Sequence, residues 1–159
     1  MHTFQKHIAV IGMLFLTVLA LGGCSKKSKE VTVDAAKLAA DLSSQAVSSE
    51  ALTEMASAMV ADTYYISKDI FANGVAYRGS GATACEVAVI ECKDAGQTKD
   101  VEAKLKEHVA SQSDLYASYN AGEVEKLDKA VIKSAGKYTV LCVCDDTGKA
   151  ESILKESGF

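Results

Sequence analysis

Apolar positions along this chain follow several distinct rhythms. Ile8 to Leu21 is apolar almost without interruption. Further on, Ala35, Leu38, Ala39, Leu42 and Ala46 recur at helical spacing behind Thr32 or Asp34, either of which is a good N-cap. The Ser-rich stretch 43–49 ends that helix, and Leu52, Met55, Ala56 and Met59 predict a second one running to about Asp62. Ser67 to Ala72 reads as one helical turn closed by Asn73-Gly74. Asn-Gly is also a hairpin signal, but the residues before it do not alternate, which favours the helical turn. From Val75 the period falls to two. Val75 to Arg78 is a short strand, Gly79-Ser80-Gly81 the link, and Cys85 to Lys93 a strand apolar on both faces in its middle, as a central strand is. Thr98 caps a long helix whose stripe is Val101, Leu105, His108, Val109, Gln112, Leu115, Tyr116 and Tyr119, ended by Asn120-Ala121-Gly122. Ala130 to Lys133 and Tyr138 to Cys144 form a hairpin across Ser134 to Lys137, and Asp145 or Thr147 caps a final helix carrying Ala150, Ile153 and Leu154. The order α-α-β-β-α-β-β-α predicts an α+β fold: a four-stranded antiparallel sheet of two hairpins, packed with helices.

The first apolar run has a different meaning. It is 14 residues long, short for a membrane-spanning helix of about 20 and right for a signal-peptide core, with Lys6 as the basic residue before it. It ends in Leu21-Gly22-Gly23-Cys24, small residues followed by cysteine, which is the pattern of a bacterial lipobox. This predicts a signal peptide over 1–23 and a diacylglycerol thioether on Cys24. A polar tether through residue 31 and a single domain over 32–159 follow. Two acyl chains anchor stably where one does not, and Lys26, Lys27 and Lys29 then lie next to the bilayer headgroups. The expected location is the extracytoplasmic face of a cell membrane.

Composition narrows the partners. After Gly23 the chain carries 16 basic against 21 acidic residues, which argues against a nucleic-acid surface. Arg78 is the single arginine, so bidentate recognition of an anion is at most one residue deep.

The run Gly81 to Ala84 leading into Glu86 to Glu91 and Lys93-Asp94, the segment Leu115 to Tyr119, and the strand Tyr138 to Asp146 together resemble a family of small bacterial lipoproteins, built on domain of unknown function number 4358. The resemblance extends over roughly residues 31–156. It implies an anchored envelope protein and carries over no catalytic residues. The cysteines of this chain stand where the resemblance leads one to expect small or apolar residues.

Candidate chemistry is sparse. Arg78, Gly79, Ser80, Gly81 and Thr83 have the look of an anion-binding loop, but such a loop works from a helix N-terminus and here a strand follows, so a plain turn competes with a ligand loop. Residues 131–139 lack the Gly and Ser/Thr of a Walker A loop. Besides Cys24 the cysteines are Cys85, Cys92, Cys142 and Cys144. Cys85 and Cys92 face opposite sides of one strand, and Cys142 and Cys144 sit at the edge of bridging range. Open readings are buried free thiols, a bridge between strands (Cys92 to Cys142 the best pair), and thiol redox chemistry. A metal site is disfavoured because no Cys-x-x-Cys knuckle is present. His108, on an apolar helix face, reads as packed and hydrogen-bonded, and Asp145-Asp146 as a helix cap. The reading is an anchored, non-catalytic binding or interaction domain with no cofactor, its partner another envelope protein or a small ligand. The alternative is a thiol-dependent redox protein or other envelope enzyme. Metabolic labelling with a fatty-acid analogue is expected to mark the wild type and not Cys24→Ala; equal labelling of both defeats the lipoprotein reading.

Overall fold

The computed structural model describes residues 31–159. The expected signal peptide, Cys24 and most of the tether lie outside these residues. Within them the chain runs α1 (Ala35–Gln45), β1 (Thr53–Glu54), α2 (Ser57–Thr63), β2 (Phe71–Arg78), β3 (Glu86–Cys92), α3 (Thr98–Tyr119), α4 (Val124–Asp128), β4 (Val131–Ala135), β5 (Tyr138–Val143) and α5 (Thr147–Glu156). Short 3-10 turns precede α3 and α4. The sheet order is β1-β2-β3-β5-β4, antiparallel throughout.

The α+β class and antiparallel pairing stand, but the sheet has five strands and not four, and a fifth helix, the short α4, stands between α3 and β4 where the expected order has none. The extra strand, β1, is two residues long and pairs Thr53 with Arg78 and Glu54 with Tyr77. Two residues leave no period to read, and the helical spacing of Leu52, Met55 and Met59 spans them, so α2 starts only at Ser57. A second correction concerns Asn73-Gly74. The turn at Ser67 exists (Phe71 N–H donates to Ser67 O at 3.0 Å), but the chain leaves it directly into β2. A register shift between Phe71 and Asn73 breaks the alternation. Gly74 is a glycine because α2 presses on the strand: a Cβ there would lie 2.8 Å from Val60 Cγ1 and 2.9 Å from the Phe71 ring.

Strands β3 and β5 are buried on both faces, which makes a three-layer domain. Val87, Val89, Val140 and Cys142 face α1 and α5, meeting Leu38, Leu42, Ala150 and Leu154. Ala88, Ile90, Leu141 and Val143 face the other way, onto Val60 and Tyr64 at α2, Val101 and Leu105 of α3, and Leu127 of α4. Local chemistry sets the element ends. Asp34 accepts from Lys37 N–H and Asp146 from Lys149 N–H, capping α1 and α5. Gly136 at φ +56° makes the two-residue turn between β4 and β5.

One clamp joins the layers at the end of β5. The amides of Ser48 and Ser49 donate to Asp145 Oδ2 at 2.7 and 2.8 Å, and Lys126 of α4 reaches Asp145 Oδ1 at 2.8 Å and Glu123 at 3.1 Å. Burial raises the Asp145 pKa, but the Lys126 ammonium and the two serine amides outweigh it and hold the carboxyl well below the usual range.

Two outcomes follow from this packing. Leu141→Ala is expected to cost about 2–5 kcal/mol, while Lys99→Ala on the exposed face of α3 stays within about 0.5 kcal/mol; chemical denaturation of both variants checks the pair. A carboxyl whose folded pKa is depressed adds stability above its ordinary value of about 4, and that stability is lost as pH falls below it. Asp145→Asn is therefore expected to cost about 1–3 kcal/mol at pH 7, with the gap from wild type closing in unfolding curves taken at successively lower pH.

Candidate functional site

Three elements converge on a buried carboxylate. Glu86 is the first residue of β3, opposite Arg78 of β2 and Val143 of β5, and is 2% exposed. The stripe of α3 that buries Val101 and Leu105 brings His108 over it, and the chain leaving α2 brings Tyr64. His108 Nε2 lies 2.7 Å from Glu86 Oε1; a carboxylate only accepts, so Nε2 carries the hydrogen. Tyr64 donates its hydroxyl to Glu86 Oε2 at 3.3 Å, and Arg78 Nε approaches the same oxygen at 3.3 Å. The Tyr64 ring meets the imidazole edge-on, centroids 4.9 Å apart. Burial, with the neighbouring Glu86 charge, pushes the Tyr64 phenol well above its usual pKa, so it remains a donor.

Two members of this network, Arg78 and His108, line an open cavity of about 390 Å³. Thr63 and Tyr65 come from the end of α2, Arg78 from β2, and Lys104, Glu107, His108, Ser111 and Gln112 from α3. Seven of these eight side chains are polar or charged apart from the tyrosine, whose residue is 80% exposed. A larger, shallower groove of about 500 Å³ runs along α3 beside Leu127 and Ile132, with no buried charge at its base. The Arg78 cavity is the candidate site, because a concave surface with convergent, rigidly held polar groups is what a small ligand needs.

The loop for which the sequence offers a plain turn or a ligand site has an internal partner. Arg78 pairs with Glu86 and still lines a small cleft with Gly79, Gly81 and Thr83. Over Gly79, Ser80, Gly81 and Thr83 an anion is indeed held, and it is the chain's own Glu50. Ser80 N–H donates to Glu50 Oε2 at 2.9 Å, Ser80 Oγ donates at 3.1 Å, and Thr83 Oγ1 donates to Oε1. A Cβ on Gly79 would sit 2.0 Å from Glu50 Oε1, which explains the glycine. The Thr83 hydroxyl lowers the Glu50 pKa most; burial opposes it, and the Ser80 donors add to the lowering. The loop's outer carbonyls are tied to α3: Tyr116 donates to Gly81 O and Thr83 O, and Tyr119 to Gly81 O.

Of the open readings for the thiols, the Cys92 to Cys142 bridge is not formed. The four cysteines among the described residues are free and buried. Cys92 lies in the core beneath α3, whereas Cys85, Cys142 and Cys144 lie in the core beneath α1 and α5. Cys142 pairs with Val87, five residues along β3 from Cys92 and roughly 17 Å away at strand rise, so those two sulfurs are not brought together. Burial pushes Cys85 up and Cys92 up to about 11. Its hydrogen bond to Cys144, together with burial, raises Cys142, and the same bond lowers Cys144. Among the described residues no group of three or more His, Cys, Asp or Glu side chains is arranged to hold a metal ion.

Sequence reasoning found Arg78 and His108 but did not join them, and missed Glu86, Tyr64, Tyr65 and Glu50. One signal was present: an acidic residue at position 86 opening a strand otherwise apolar to Ile90.

The family described as Domain of unknown function (DUF4358) matches residues 45–144, a segment that contains every residue lining the cavity and the whole Glu86 network. No curated protein and no solved structure matches the chain. With well over half of its length matched, the chain belongs to the DUF4358 family of domains of unknown function.

Proposed function

We propose that this is a lipid-anchored extracytoplasmic domain that binds a small polar ligand in the Arg78 cavity without transforming it. The anchoring half of the reading is supported by the Leu21-Gly22-Gly23-Cys24 sequence behind a 14-residue apolar run. Among the described residues, no helix is long and apolar enough to cross a membrane. The binding half is carried by one observation: an open polar cavity is lined by two members of a buried network whose groups are committed to each other. Glu86 accepts from three groups, so the network is rigid and Arg78 is pre-oriented, which lowers the ordering cost of binding.

The rival, thiol chemistry, needs a reachable thiolate. Cys142 and Cys144 are 0% and 3% exposed, and three of the four thiols are shifted up, which favours cysteines that serve as small apolar side chains.

The test uses the full-length protein in detergent micelles. Titrated with a deproteinised small-molecule extract, the amides of Tyr65, Arg78, Ser111 and Gln112 are expected to shift saturably, and Arg78→Ala, checked for native folding, to remove the response. The bound compound recovered by mass spectrometry is expected unchanged. Saturable shifts confined to another surface overturn the site, and a chemically altered compound overturns the non-catalytic reading.

A further inference from the structure

The residue at position 65 is at odds with its backbone. Helix α2 closes with Ile66 N–H donating to Ala61 O at 2.8 Å and Tyr65 N–H to Asp62 O at 3.3 Å, the paired bonds of a Schellman motif. The motif puts Tyr65 at φ +53°, the left-handed position where glycine is the usual residue, and a bulky side chain there is an outlier. Burial does not compensate for the strain, because Tyr65 is 80% exposed. Strain held by a well-determined surrounding structure is concentrated at functional positions. Here the helix cap has a tyrosine where a glycine would close it better, and that tyrosine lines the Arg78 cavity.

The cavity itself limits what that ring meets. Its charges are balanced in pairs: Arg78 with Glu86 at 3.3 Å, and Lys104 with Glu107 at 2.8 Å. A ligand carrying a strong net charge finds no uncompensated counter-charge. No aliphatic side chain lines the wall, so affinity comes from hydrogen bonds to groups such as Thr63, Ser111 and Gln112 and from one aromatic face. A neutral ring with hydroxyls around its edge and C–H bonds on its face meets both requirements. Resting on the proposed binding role of the cavity, the geometry points to a neutral carbohydrate as the ligand class, with Tyr65 as the platform on which a pyranose ring lies.

This gives Tyr65 a signature that a structural residue does not share: replacing it with glycine relieves the backbone and removes the platform. In a sugar-free detergent, full-length protein is titrated calorimetrically with tri-N-acetylchitotriose, maltotriose and cellotriose, with amide shifts followed in parallel. At least one trisaccharide is expected to bind saturably and shift Tyr65, Arg78 and Gln112. Tyr65→Gly is expected to raise the melting temperature while weakening that binding about tenfold or more, and Tyr65→Phe, which keeps the ring, to bind within about threefold of wild type. A lower melting temperature for Tyr65→Gly, or unchanged affinity, overturns the platform role. Pocket amides that respond to the small-molecule extract but to none of the trisaccharides overturn the carbohydrate assignment and leave the binding role standing; silence toward both overturns both.

Discussion

Everything distinctive in this domain is arranged around one buried carboxylate. Taking Glu86 out of water at 2% exposure is costly unless each lone pair finds a donor. The donors come from three separate elements: Arg78 on the neighbouring strand, Tyr64 beyond α2, and His108 in the middle of α3. Leaving any one of them out would leave part of the charge uncompensated, so the network specifies how α2 and α3 sit on the sheet as well as contributing to their attachment. Among the described residues no buried side-chain nitrogen or oxygen lacks a partner, which is the condition under which a polar core is rigid.

The opposite face of the sheet is simpler. Beneath α1 and α5 the contacts are Leu, Ile, Val, Ala and three cysteines. Cys142 and Cys144 are packed there, while the Cys85 thiol also meets Ser49 Oγ at 3.5 Å and Lys126 Nζ at 3.8 Å. Polar order returns only at the sheet's end, where Asp145 gathers two serine amides and Lys126 and so ties the exit of α1 to β5 and α4. The two faces thus divide the work: one is an ordinary hydrophobic layer, the other carries a charged network whose Arg78 and His108 line a cavity.

The Gly79 to Thr83 segment shows how an anion-binding pattern can be real and yet internal. Its donors converge as a ligand loop's would, and the anion they hold is a side chain from the link after α1. A carboxylate supplied by the chain is always present at high effective concentration, so the loop serves to lock that link onto the β2–β3 connection. Arg78, the first residue of the pattern, lines both the loop's small cleft and the larger cavity.

What the sequence by itself determined is local. Runs of a single period are legible because they reflect one face of one element meeting one core: the α1 stripe from Leu38 to Leu42, the doubly buried β3 and β5, and the long α3 all follow from the spacing of their own residues. The Leu21-Gly22-Gly23-Cys24 sequence on which the anchoring proposal rests is likewise a local string. Tertiary structure alone decided the rest. Thr53-Glu54 is a strand only because Tyr77 and Arg78 lie beside it, and Gly74 is a strand residue only because Ile90 lies opposite it. The separation of Cys92 from Cys142 depends on the register of β3 against β5, which is a property of two strands and of neither one. Glu86, Tyr64, Arg78 and His108 are spread over 45 positions of the chain, and Glu50 is 30 residues from Ser80, the first side chain to bind it. A charge's partners are set by distance in space, and no period along the chain encodes that distance.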